Sequence, residues 1–361
     1  MKASHATYWR GLGNGTRNSL LDRLLLTLLI PLSLPYALVQ HLRAWLYRIG
    51  IYSARKLPRP VISIGNLTVG GTGKTPVTAY IARQLLAQGM KVAVLSRGYG
   101  GSREGQTTLV SDGNTVFRSA EECGDEPFLL ATTVPELMVV TGSNRHAAGL
   151  LAMEQLSPDI FLLDDGFQHL RLERDLNILL LDCTRPFGNG WTLPAGLLRE
   201  PKSASARADL VIQTRCPQAD TPTPALPGAF FCNARHNLAD AIPLSGGEPL
   251  ALNSFCGRNV VAFAGIAEPQ TFFDGLRLHK LNVVASICFP DHVVYGKTQI
   301  IAIADMLRTS GADYAITTEK DGVKLKHFPE ELAEKTLLAR LELIIDNPAP
   351  LKALLRNLLQ K

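Results

Sequence analysis

The chain has no paired cysteines: its six stand singly at 123, 183, 216, 232, 256 and 288, with no Cys-x-x-Cys anywhere. That excludes a zinc module or a disulfide framework and fits a reducing compartment. Charged residues are scarce, 19% of 361 against 46% hydrophobic, which excludes the intrinsically disordered class. No repeat of fixed period is present, so solenoids and propellers are excluded as well. An unbroken apolar run of the about 20 residues that a bilayer span needs is also missing. The apolar run Leu24 to Val39 is interrupted by Thr27, Pro31, Ser33 and Pro35, so it is expected to lie in a membrane interface rather than to cross. An ordinary buried pair of helices is the plain alternative. A secretory signal is disfavoured because no small-residue cleavage site follows the run.

Acids are nearly absent from the first 60 residues, where nine Lys or Arg face Asp22 alone. This end therefore carries +8, and since the chain totals +5, the other 301 residues net −3. Basicity confined to one end, beside an apolar run, suits anionic lipid headgroups better than a nucleic-acid groove. The expected partners are an anionic membrane surface and no nucleic acid.

From Pro60 onward, short β-branched runs alternate with helical stretches, the pattern of a parallel sheet covered on both faces. The expected strands are Val61–Ile64, Val92–Leu95, Leu137–Val140, Ile160–Leu163, Ile178–Leu181 and Leu210–Ile212. Pro217 to Pro227 reads as a linker. Beyond it come strands at Val260–Ala264, Val283–Ile287 and Tyr314–Thr317, with a helix at Thr298–Thr309. The fold class is α/β: a P-loop NTPase parallel sheet with helices on both faces, a smaller C-terminal α/β unit and a membrane-associated N-terminal helical segment. The expected divisions are 1–59, 60–216 and 217–361, and the last helix, Ala349–Leu359, suits either unit.

The segment from Val61 to Leu85 reads strand, glycine-rich loop, helix. In such a loop, Thr68 to Thr75, backbone amides cradle phosphates, the lysine reaches the β and γ oxygens and the following hydroxyl holds Mg²⁺. Thr68, Val69, Gly70, Gly71, Thr72 and Gly73 form the cradle, with Lys74 and Thr75 in the two side-chain roles. The strict pattern needs glycine where Thr68 stands, but Gly70 and Gly71 supply close approach elsewhere. A second metal anchor is expected at the end of a neighbouring strand, where Asp164 and Asp165 close an apolar run; Asp165 is favoured as nearer the metal. Asp125 and Glu126 precede Pro127, which is equally a common helix opening. The functional alternative makes Asp125 the acceptor of a hydroxyl proton. His292 follows Pro290 and Asp291, and a lone histidine is often structural, yet a cleft between two units is where small-molecule sites form. Arg97, Arg145 and Arg199 could clamp phosphate through their forked donors.

Taken in order, GNLTVGGTGKTP, SRGYGG, CGDEP, TGSNR, LLDDGFQH, the GNG-x3-PAG-x2-REP run at 188–201, FPDH and TEKD resemble the tetraacyldisaccharide 4'-kinase family, the lipid A kinase of Gram-negative bacteria. The blocks run from about Ile64 to Asp321, and Thr68 is usual in that family. The resemblance implies transfer of the ATP γ-phosphate, with Mg²⁺, to the 4'-hydroxyl of tetraacyldisaccharide 1-phosphate at the cytoplasmic face of the inner membrane. It also implies Asp125 as catalytic base with His292 as its partner, and Glu126, Asp165 and Gln168 around metal and nucleotide. Two rivals stand beside it. A GTPase or metallochaperone-type switch would need lysine where Glu319 follows Thr318, and a nucleotide-binding membrane adaptor would make no phosphorylated product.

Overall fold

A computed structural model describes residues 2–219, 221–222, 226–325 and 328–360, with side chains from residue 8 onward. Part of the expected linker, residues 220 and 223–225, lies outside the described residues; the rest of Pro217 to Pro227 holds no helix or strand.

The helices are α1 (Lys2–Gly13), α2 (Leu20–Arg48), α3 (Lys74–Leu86), α4 (Ala120–Cys123), α5 (Asp125–Thr133), α6 (Arg145–Gln155), α7 (Pro269–Leu278), α8 (Lys297–Ser310), α9 (Glu319–Gly322), α10 (Glu330–Glu334) and α11 (Ala349–Leu359). The strands are β1 (Val61–Asn66), β2 (Val92–Ser96), β3 (Thr108–Asp112), β4 (Met138–Thr141), β5 (Ile160–Asp164), β6 (Leu176–Asp182), β7 (Leu210–Thr214), β8 (Phe230–Pro243), β9 (Leu250–Ala251), β10 (Asn259–Ala264), β11 (Asn282–Cys288), β12 (Tyr314–Thr318) and β13 (Thr336–Ile345). They form one sheet in the order β11-β10-β12-β13-β8-β7-β6-β1-β5-β2-β4-β3, with β9 paired to β8.

Each expected strand is present, and β1 sits centrally between parallel neighbours β5 and β6. Its residues Val61 to Asn66 are all buried, as a strand covered on both faces requires. The expected six strands are not the whole of this sheet. β3 adds an antiparallel edge and β8 a further parallel neighbour to β7. β8 runs 14 residues, pairing parallel to β7 through Phe230 to Asn233 and antiparallel to β13 from Ala234 to Pro243. The chain after the linker is thus joined to the P-loop sheet through one strand. Helix α11 packs Leu351, Leu355 and Leu358 into the same core cluster as Val77 and Ile81 of α3.

The two prolines do not break the apolar segment. Pro31 and Pro35 lie inside one 29-residue helix, α2, which opens with Ser19 and Asp22 in a capping box. It is long and apolar enough to cross a membrane, and 6% of its apolar window is buried in the protein, so it is no buried hairpin partner. Leu24, Leu28, Leu32, Leu38 and Leu42 are exposed along it. The opposite side is pinned: Ser33 Oγ donates to Thr192 O at 2.9 Å and accepts from Ala195 N at 2.9 Å. Tyr36 Oη donates to Arg199 O at 3.1 Å.

Candidate active site

β1 delivers the chain into the glycine loop, and the loop closes where Gly73, at φ +77°, caps α3. An L side chain is strained at that angle, and a Cβ there would lie 2.8 Å from His236 Cε1. Gly70, at φ +130°, needs the same freedom. The loop is braced from outside: Thr214 Oγ1 donates to Thr72 O at 2.8 Å, Val69 N to Leu197 O at 2.8 Å, and Arg215 to Gly71 O. Arg215 is itself held by Asp182 at 2.9 Å and Glu268 at 3.2 Å. A cavity of about 1050 Å³ opens over the loop, lined by Gly70 to Thr75, Glu126, Asp164, Asp165, Arg199, His292 and Lys320 among others.

Lys74 Nζ lies 3.6 Å from Asp165 Oδ1 and 3.4 Å from Asn66 Oδ1. Arg199 grips the same carboxylate with two parallel bonds of 2.9 and 3.0 Å, and also reaches Asn66. Burial opposes ionisation of Asp165, but Lys74, Arg199 and Arg145 together outweigh it and hold the group at about 2. Its neighbour differs. Asp164, 1% exposed, takes a 3.1 Å hydrogen bond from Thr78 Oγ1, and burial followed by the charges of Glu126 and Asp165 pushes it up to about 7. Two adjacent carboxylates are thus displaced in opposite directions.

Asp125 opens α5, half-buried beside this cavity. Its Oδ2 is 3.1 Å from His292 Nδ1 and 3.6 Å from Lys324 Nζ. Burial works against the carboxylate, yet His292, Lys324 and Lys320 hold it below the usual range. His292, at φ +59°, stands edge-on to Tyr99 with centroids 5.7 Å apart. Glu126 pairs with Lys320 at 3.2 Å, and Lys320 also lies 3.6 Å from Asp291. Burial opposes the charge on Lys320, but Glu126 and Asp291 raise it overall.

Most of the expected site residues line or adjoin this cavity, while Thr68, Arg145 and Gln168 are not among its lining. Arg97 lines the cavity, but its side chain is 63% exposed and pairs with Glu104 at 3.2 Å. Thr68 bridges to Leu198, Gln168 Nε2 donates to Asn66 O at 2.8 Å, and Arg145 is buried with Nη1 on Gly142 O at 2.5 Å. Sequence reasoning missed Asn66, Lys320, Lys324 and Arg215. The first two stand inside the GNLT and TEKD blocks, which is the signal that could have found them; Lys324 and Arg215 carry none.

Glu126 and Asp165 raise the cost of ionising Asp164, which a divalent cation would relieve. Among the described residues no three or more acidic, His or Cys side chains close into a cage by themselves. Mg²⁺ binds through one or two carboxylates plus nucleotide oxygens, and Asp164, Asp165 and Glu126 on the cavity wall are donors of that kind.

A family described as Tetraacyldisaccharide-1-P 4'-kinase matches residues 25–360. A tetraacyldisaccharide 4'-kinase of Pelobacter propionicus is 66% identical over the whole of both chains. One from Geobacter metallireducens is 54% identical over 94% of this chain and all of its own. The crystal structure of LpxK from Aquifex aeolicus in complex with ATP superposes with a TM-score of 0.77 at 34% identity, covering 93% of this chain and 99% of that one.

Proposed function

The chain belongs to the tetraacyldisaccharide 4'-kinase family, and from that premise we propose how its own residues perform the reaction. The enzyme is an ATP-dependent kinase of lipid A biosynthesis that transfers the γ-phosphate to the 4'-hydroxyl of tetraacyldisaccharide 1-phosphate. The GTPase and adaptor readings are not favoured.

Residues 68–75 hold the triphosphate, with Lys74 on the β and γ oxygens. Asp125 accepts the proton of the 4'-hydroxyl, and His292, whose Nδ1 lies 3.1 Å away, orients that carboxylate and shares its charge. This pair carries the assignment, because it is the carboxylate and imidazole contact at hydrogen-bond distance beside the cavity. Thr75, Asp164, Asp165 and Glu126 would hold Mg²⁺, which would supply positive charge against that developing on the transferred phosphate. Arg97, Arg145, Gln168 and Arg199 meet the acceptor or the transferred group. The exposed leucines of α2 seat the protein as a peripheral or monotopic enzyme on the anionic cytoplasmic face of the inner membrane, with the mouth at headgroup level. Residues 1–59, 60–216 and 217–361 are the membrane-associating segment, the P-loop core and the smaller unit.

The test is incubation with labelled ATP and lipid A disaccharide 1-phosphate, followed by chromatography of the lipid. Asp125→Ala is expected to lower turnover roughly 10²- to 10⁴-fold, the range for a general base, with ATP affinity kept. Near-normal turnover in that variant removes Asp125 from the role.

A further inference from the structure

Lys324 is buried, its side chain 8% exposed, and its ammonium meets two carboxylates far apart in the sequence: Asp321 Oδ1 at 3.0 Å and Asp125 Oδ2 at 3.6 Å. It is not among the residues lining the cavity, so anything it does for the reaction passes through a neighbour. Asp321, with no exposed surface, is fixed independently: its Oδ2 accepts from Gly265 N at 3.0 Å and from Thr318 Oγ1 at 2.9 Å. Helix α9 packs on β13 so closely that a Cβ on Gly322 would lie 2.7 Å from Leu338 Cδ1, which sets the turn carrying Lys324. The ring of Tyr295, edge-on to Phe263 and Phe289, has its centroid 5.4 Å from the ammonium and walls it off on the apolar side.

A buried ion pair by itself adds little stability, because desolvating both charges offsets their attraction. Asp321 also leaves Lys324 with donors unused: among the described residues the ammonium makes no aligned hydrogen bond, although it is shut off from water. Its second carboxylate is the one assigned as base. His292 Nδ1 lies 3.1 Å from Asp125 Oδ2, and Lys324 approaches that same oxygen. Two holds on one oxygen stop the carboxylate from turning and leave Oδ1 to meet the acceptor hydroxyl. Both holds come from the chain beyond the linker, whereas Asp125 opens α5.

We propose that Lys324, backed by Asp321, is a positioning residue for phosphoryl transfer, holding Asp125 together with His292 so that Oδ1 receives the proton of the 4'-hydroxyl. The inference rests on the kinase reading above and adds to it a second hold on the base. Lys324 transfers no proton itself; the hydroxyl proton passes to the carboxylate. The 3.6 Å contact tightens to hydrogen-bond length when substrates fill the cavity.

The experiment measures transfer from labelled ATP to tetraacyldisaccharide 1-phosphate by the full chain carrying Lys324→Met, Asp125→Ala, or both, with the unfolding transition of each recorded first. A hydrogen bond to a charged group corresponds to roughly a 10- to 100-fold effect, so Lys324→Met should lower kcat by that factor and leave KM for ATP in place. Added to Asp125→Ala it should lower kcat little further, because a positioning residue then has nothing to position. Loss of the same factor again in that background overturns the proposal, as does a normal kcat for Lys324→Met alone. Lys324→Met leaves Asp321 as an unpaired buried charge, so Asp321→Asn combined with Lys324→Met, which removes both charges, is measured beside it. This combination should regain stability while kcat stays low. Recovery of kcat together with stability reduces Lys324 to a structural counter-ion and overturns the proposal. Should the wild-type protein phosphorylate no acceptor, the kinase reading fails, and the proposal with it.

Discussion

Replacing Asp164 by Asn should make the ligand-free protein more stable while disabling it. Asp164 is fully enclosed at the end of β5, and burial, Glu126 and Asp165 lift it from 3.8 to about 7. A carboxyl whose folded value is raised binds protons more tightly when folded. Its favourable contribution is complete below the unfolded value and is lost as pH climbs to about 7. One pKa unit corresponds to about 1.4 kcal/mol, so a rise of roughly three units sets an upper bound of about 4 kcal/mol at pH 8. Asn keeps an oxygen for the Thr78 hydroxyl and carries no charge. An unfolding entropy of about 2 cal/mol/K per residue makes this a Tm gain of up to about 5 °C for a chain of this size. At pH 5 little more than one unit of the displacement is felt, and the gain should shrink to about 2 °C. Thermal unfolding of both proteins from pH 5 to 8.5, without nucleotide or metal, measures the difference. Adding ATP and Mg²⁺ should reverse the order, because only the wild type gains a metal ligand from the deprotonated group. A variant no more stable at pH 8, or stabilised equally at every pH, refutes the upward displacement of Asp164 by burial and its charged neighbours.

Gly73→Ala should weaken ATP binding at least tenfold by calorimetry, since φ +77° strains any Cβ by about 1–2 kcal/mol and His236 stands 2.8 Å from it. Unaltered affinity would mean that the loop re-forms when nucleotide binds. Leu28→Glu with Leu38→Glu on the exposed face of α2 should abolish sedimentation with anionic liposomes, because each leucine inserted contributes about 2 kcal/mol. Wild-type sedimentation should fall as salt rises, and persistence of the double variant on liposomes would refute the membrane seat.

Strands such as β1 and β5 were readable because both faces are buried, leaving continuous Val, Ile and Leu runs. β8 and β13 escaped for the converse reason. Charged residues interrupt them, and these are satisfied across the sheet: Arg235 pairs with Asp346 at 2.6 Å, and Arg340 with Asp240. The prolines of α2 misled because a break was expected where the helix continues. At the site, each linear block was visible, but the contacts between blocks were not. Asp125 meets His292 across 167 positions and Lys320 meets Glu126 across 194, and no periodicity records such a meeting. The resemblance supplied the first pair; nothing supplied the second.

The contacts of the N-terminal segment bear on how membrane seating and chemistry relate. Arg10 donates to Ala267 O at 2.6 Å and lies 3.8 Å from Asp291, the residue before His292. Arg43 reaches Gln168 O from α2, and Ser33 pins α2 to the Thr192 to Ala195 turn. Leu12 is 1% exposed, so α1 is part of the folded body. Removing the first 40 residues would therefore strip the membrane face and, with Arg10, loosen the loop that carries the partner of Asp125. A truncation that lost both lipid binding and turnover could not assign either loss. Substitutions confined to the outward leucines separate the two: they leave Arg10, Leu12 and Ser33 in place, so transfer to a detergent-dispersed acceptor should survive while vesicle binding fails.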